Sequence, residues 1–243
     1  MKLLGCVLLV LAFFSIALVP GVHSFENLIF EDYSTSYFVR GNTLLVEKEV
    51  ILRNVGQSEY LVPGEIYFNV YERKGDSSVA PKIRDVSALQ NNNQELETRI
   101  DTYDTHSTIA VRIWAPLSNQ PNMQYRLSLS YEMDFRPKGF LFHEVVFPVE
   151  TSSHTIVDRS TRMMLPTGYT VTYAPSADVS TDGLHTIVDW GSRSDLSLEY
   201  TFLPLPEQMP FRMVSVFWLT VLVFLGVLFI FLNLRRTSVS KKK

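Results

Sequence analysis

Cysteine is nearly missing from this chain: Cys6 is the only one in 243 residues. It falls inside an apolar leader, so the polar remainder has no thiol. That absence removes thiol nucleophiles, disulfide exchange and zinc–cysteine sites from consideration. A domain built this way is held by core packing, and it has enough residues to do so. No Asn-x-Ser/Thr sequon occurs, so the chain is not itself an N-glycosylation acceptor. No Gly-x-Ser-x-Gly, HExxH, phosphate-binding loop or dinucleotide fingerprint is present. Long charge runs, a fixed repeat and a 12-residue amphipathic helix are missing from the middle of the chain as well.

Long apolar runs are present, but only at the two ends. Lys2 followed by Leu3 to Leu18 reads as a secretory signal, with Val22-His23-Ser24 as the cleavage site, so residues 1–24 are expected to be removed. Pro20 and Gly21 interrupt the segment and disfavour an uncleaved anchor helix. Cys6 precedes most of the apolar region, so it does not fit a lipoprotein signal.

At the other end, Met213 to Leu232 is 20 residues without a charge. At 1.5 Å per residue that length crosses a hydrocarbon core of about 30 Å. The expected transmembrane helix covers 213–234. Trp218 sits near its outer end, and Arg235, Arg236, Lys241, Lys242 and Lys243 follow it. By the positive-inside rule the 235–243 tail is cytoplasmic. The reading is a single-pass type I membrane protein with an extracytoplasmic ectodomain, lumenal or at the cell exterior. Gly226 has no GxxxG partner, so the span carries no dimerisation signal. Ser240 and Val239 leave Lys241 without the second lysine of a dilysine retrieval motif.

The formal net charge of −3 conceals this division. Residues 25–234 hold 16 Lys and Arg against 25 Asp and Glu, a net of −9. An acidic middle argues against nucleic acid as a partner.

The middle reads as β structure. Tyr125, Leu127, Leu129, Tyr131, Met133 and Phe135 alternate with polar residues, which marks a strand with one face buried. Leu196, Leu198, Tyr200 and Phe202 repeat the pattern, as do Tyr169, Val171 and Tyr173. Leu44, Val46, Val50 and Leu52 form another face, opposite Glu47, Glu49 and Arg53. Ile66, Phe68 and Val70 follow a turn at Asn54-Val55-Gly56, and Ile109, Val111 and Ile113 follow one at Thr105-His106-Ser107. Turn residues at this density predict β-sandwich architecture, one module or two. The expected joint is Arg136-Pro137-Lys138-Gly139, giving modules at 25–135 and 136–204. A proline-rich stalk at 205–212 would hold them near the bilayer.

Candidate chemistry is sparse. His143-Glu144 and His154 flank a strand pair and could meet as a metal or acid–base set, although their spacing matches no motif. His106 and His185 fall at turns. Asp101 and Asp104, with Glu95 and Glu97 upstream, could supply oxygen ligands to calcium, but without the EF-hand order. A solvated hairpin end is the favoured reading there. Trp114 and Trp190 could form a binding platform, with core or rim packing favoured. No catalytic residue, metal site or cofactor is assigned.

Two stretches resemble the ribophorin I family, the single-pass, non-catalytic subunit of oligosaccharyltransferase. They are Leu44 to Tyr71 and Gln124 to Tyr173. In the first, a strand, an N-x-G turn and a second strand follow one another. In the second, a long strand leads through a proline-containing loop to a Phe-rich strand and then to a threonine-bearing strand ending in Leu-Pro. The chain is much shorter than ribophorin I. The resemblance implies an accessory or scaffolding subunit of a membrane complex, in protein N-glycosylation, and supplies no site. The alternative is a cell-surface binding or adhesion module recognising glycan, calcium or a protein partner. A third reading is an exported hydrolase using His143, Glu144 or His154.

Overall fold

A computed structural model describes residues 27–91, 93–193, 196–203 and 220–231. The expected signal peptide, stalk and tail lie outside the described residues, as do 213–219 and 232–234 of the expected span.

In chain order the strands are β1 (Leu28–Arg40), β2 (Thr43–Asn54), β3 (Tyr60–Leu61), β4 (Gly64–Lys74), β5 (Ser77–Val79) and β6 (Ile83–Gln90). Next come β7 (Gln94–Glu95), β8 (Thr98–Thr102), β9 (Ser107–Ile113), β10 (Leu117–Ser118), β11 (Tyr125–Asp134) and β12 (Phe142–Val145). Last are β13 (Val149–Ser152), β14 (Ile156–Pro166), β15 (Thr170–Tyr173), β16 (Asp178–Thr181), β17 (His185–Gly191) and β18 (Leu198–Thr201).

The mostly-β, sandwich-like expectation agrees with this architecture. One eight-stranded sheet has the order β16-β17-β14-β1-β2-β11-β6-β7. A five-stranded sheet, β13-β4-β9-β8 with β5 pairing β4, and a three-stranded sheet, β12-β18-β15, supply further layers. The stacked rings of Phe30 on β1 and Phe68 on β4, 5.9 Å apart, join the eight- and five-stranded sheets. Val171, Leu198 and Tyr200 of the three-stranded sheet belong to the same buried cluster. Strands from both sides of the 136–139 segment share the large sheet: β1 pairs β14 in parallel from Phe30↔Ile156 to Phe38↔Met164.

The long alternating run behaves as its pattern requires. Tyr125, Leu127, Leu129, Tyr131 and Met133 are buried along β11, and Phe135 just beyond it. The 196–202 run departs from simple alternation. All four residues of β18, the middle strand of its sheet, are buried, so both of its faces are covered. Glu199 is tolerated there because its Oε1 accepts the Thr172 hydroxyl at 2.8 Å. Phe202, in phase with the apolar face, is 52% exposed. The strand has ended by then, with the Thr201 hydroxyl donating to the Leu141 carbonyl at 2.6 Å.

Residues 220–231 are helical. That length is about 18 Å. No described helix is long and apolar enough to cross a membrane.

Candidate functional site

The most distinctive side-chain cluster is a polar one inside the core. Lys48 lies in phase with Leu44, Val46, Val50 and Leu52 on β2, so the pleat turns it inward with them. Its side chain has no exposed surface. Thr35 pairs directly with it on β1, and Leu129 on β11. Tyr33 and Tyr131 stand one step along the same face, opposite Val50 and Val46. Glu150 descends from β13 in the five-stranded sheet and forms an ion pair with Lys48 Nζ.

The remaining bonds complete the cluster. Tyr131 Oη donates to Glu150 Oε1 at 2.7 Å and Tyr33 Oη to Oε2 at 3.4 Å. Lys48 Nζ donates to Thr35 Oγ1 at 3.4 Å. It also sits 5.1 Å from the Tyr33 ring centre and 5.9 Å from that of Tyr131. The Arg159 guanidinium covers Tyr33 at 5.4 Å. A carboxylate, a threonine hydroxyl and two tyrosine ring faces thus surround one ammonium, which is how a buried charge is tolerated.

Titration reflects this burial. Desolvation pushes the Lys48 ammonium below the usual lysine range, against the opposing pull of Glu150. Desolvation also raises the Tyr33, Tyr37 and Tyr131 phenols well above ordinary tyrosine, and the Glu150 charge adds to each. Glu150 and Arg159 line a cleft of about 510 Å³ together with Arg73, Glu144 and Ser197. The Lys48 nitrogen lies behind them, without access to a substrate. The arrangement serves to pin two sheets together.

The sequence-derived candidates fall elsewhere. His143 packs on Tyr200 at 5.2 Å, whereas His154 sets its edge against Phe30 at 5.4 Å. The two rings therefore face different neighbours in different sheets. Glu144 exchanges two backbone hydrogen bonds with Lys138, closing a tight loop. Asp101 pairs with Arg99 at 3.0 Å and Glu97 with Arg112 at 2.7 Å, so two of the four acids proposed for calcium already hold cations. Tyr103 and His106 stack 4.7 Å apart at that hairpin end. No group of three or more potential metal ligands is gathered among the described residues. Trp190 is a core residue, 2% exposed and edge-on to Phe147, while Trp114 is 68% exposed beneath Arg112. Trp218 lies outside the described residues.

Sequence reasoning missed the Lys48 cluster altogether. The available signal was a lysine in phase with four buried aliphatics on a strand whose other face already carried Glu47, Glu49 and Arg53.

No family model matches the chain. An uncharacterized protein of Methanocaldococcus jannaschii is 26% identical over 141 residues, which is 58% of this chain and 98% of that protein. Among solved structures, an M1 zinc metallopeptidase from Deinococcus radiodurans aligns with a TM-score of 0.45 and 13% identity over 72% of this chain. Its E323A mutant bound to a Tyr-Ser-Ala substrate gives 0.46 at 13% identity, over 72% of this chain. The chain spans 42% of each of those peptidase chains.

Proposed function

We propose that the chain is a single-pass, membrane-anchored, non-catalytic β protein, an accessory or scaffolding part of a membrane complex with its β body outside the cytoplasm. One observation carries the reading. Every large side chain from Leu222 to Phe231 is exposed, with Phe224 and Phe229 each at 68%. A helix that is apolar all round and exposed on every side among the described residues is unstable in water and stable in lipid. It lies within the charge-free 213–232 run, and the cationic tail follows.

The acid–base candidates are in packing and pairing roles, and the buried lysine is sealed, which favours scaffolding over chemistry. Membership of an N-glycosylation complex rests on the resemblance to ribophorin I.

Extraction at alkaline pH tests the anchor. The full chain stays in the membrane pellet, and L225R/F229R moves it to the supernatant, since each central arginine costs about 2.5–3.5 kcal/mol of insertion. Release of the unmodified chain would refute the anchor. Mild-detergent purification then tests the accessory role: a stable membrane-protein partner is expected, and recovery as a lone monomer would contradict it.

A further inference from the structure

We propose that the end of the β body bearing Phe140 and Phe202 is a bilayer-docking face for anionic lipid headgroups. The proposal rests on the membrane-anchor reading above and adds a second point of contact to it.

Phe140 is 86% exposed and Phe202 is 52% exposed. Both belong to one tip. Lys138 and Glu144 exchange backbone bonds at 2.9 and 2.7 Å, which makes 138–144 a closed loop with Phe140 inside it. Gly139 fixes its shape: φ is +107°, and a Cβ there would meet the Phe142 carbonyl oxygen at 1.9 Å. Phe142 pairs with Thr201, and the Thr201 hydroxyl holds the Leu141 carbonyl. Phe202 therefore emerges beside the loop that presents Phe140. Two exposed phenylalanines on a braced tip suit the apolar side of the headgroup zone.

A cleft at this end is lined by more cations than acids, unlike the ectodomain as a whole. It encloses about 380 Å³ and is lined by Arg73, Lys74, Arg136 and Lys138, with Glu72 and Asp134 as its acids. All four cations are exposed, and Arg136 stays 81% exposed while paired with Asp134. Four cations against two acids line this cleft, with Asp76 and Glu144 flanking it, in a 25–234 segment of net −9, so the cleft itself complements a phosphate-bearing surface.

Chain connectivity selects a bilayer as the occupant. The described β body ends at Leu203, immediately after Phe202, and the apolar helix is described from residue 220. The intervening chain spans at most roughly 60 Å. The tip is thus the part of the β body tethered directly to the membrane-inserting segment.

The test uses the full chain with Cys6→Ser, so that an introduced cysteine is unique. Nitroxides are placed by Phe140→Cys, Phe202→Cys, Phe224→Cys and Met123→Cys, in separate proteins reconstituted into phosphatidylcholine vesicles with or without phosphatidylglycerol. Met123 lies beyond the opposite end of β11 and is 59% exposed. Collisional access to oxygen and to a water-soluble nickel chelate is measured. With phosphatidylglycerol, labels at 140 and 202 should favour oxygen several-fold over the label at 123. R136Q/K138Q, or 1 M salt, should remove that preference. Labels at 140 and 202 as aqueous as 123, with 224 in lipid, would overturn the docking face and leave the anchor standing. An aqueous label at 224 would overturn the anchor and the docking face together. Equal preference without phosphatidylglycerol would overturn the headgroup-charge assignment.

Discussion

Glu150→Gln should destabilise the β body by about 3–5 kcal/mol, the range for stranding one member of a buried ion pair. Lys48 has no exposed surface, and once the carboxylate is gone an uncharged amide oxygen and Thr35 Oγ1 at 3.4 Å are the acceptors left to its ammonium. At about 2–4 °C per kcal/mol for a body of this size, the melting temperature falls by about 6–20 °C. Lys48→Met is less severe, because Glu150 keeps the Tyr131 and Tyr33 hydroxyls and is 9% exposed. The double variant removes both charges while the amide still accepts from Tyr131. It should be more stable than Glu150→Gln alone, with a coupling energy of at least about 2 kcal/mol. Urea unfolding of the four proteins, followed by the fluorescence of buried Trp190, measures the cycle. The pH dependence adds a signed check. Without its carboxylate, Lys48 binds a proton less readily folded than unfolded. The stability of Glu150→Gln should then rise with pH until the unfolded lysine titrates near about 10.4. Additive single effects, or a Glu150→Gln loss below about 0.5 kcal/mol, would refute the reasoning.

Two further outcomes follow from the same geometry. Gly139→Ala should cost at least about 1–3 kcal/mol, since it combines a left-handed φ with a clash against the Phe142 carbonyl; a thermal melt checks it, and an unchanged midpoint would contradict the closed loop. The buried phenols of Tyr33, Tyr37 and Tyr131 have folded pKa values well above their unfolded values near about 10. Above that pH the unfolded chain holds fewer protons than the folded one, so stability should fall with rising pH by up to about 1.4 kcal/mol per unit for each phenol. Absorbance near 295 nm should show these tyrosines ionising only as the body unfolds.

Much of the fold was legible in the pleat. The alternation over 125–135 and 44–52 defines strands whose apolar residues are buried, because a half-covered strand must segregate its two faces. Turn chemistry at 136–139 suggested a joint between modules, but the parallel pairing of β1 with β14 across that segment left no local signal. That pairing brings together strands separated by more than a hundred residues, and local pattern carries no record of it. The Lys48 cluster escaped for a related reason. Its partner Glu150 lies on a four-residue strand too short to show a period, and Lys48 is exceptional only once that carboxylate is above it. His143 and His154 looked like neighbours because they are close in sequence, yet intervening β13 belongs to a different sheet from β12 and separates them. Phe202 continued an apolar alternation past the end of its strand, where the Thr201–Leu141 bond turns the chain outward.

Topology is the claim on which the functional reading depends, and the rarity of cysteine makes it directly measurable. With Cys6→Ser as background, one cysteine replaces exposed Tyr103 in the β body and, in a second protein, Ser238 in the tail. A membrane-impermeant maleimide is then applied to intact cells that carry the β body on their surface, or to sealed vesicles with that face outward. Labelling at 103, with 238 reactive only after the membrane is opened, is the predicted result. Labelling at 238 without labelling at 103, or equal labelling of both before the membrane is opened, would contradict a single-pass chain with its β body outside the cytoplasm.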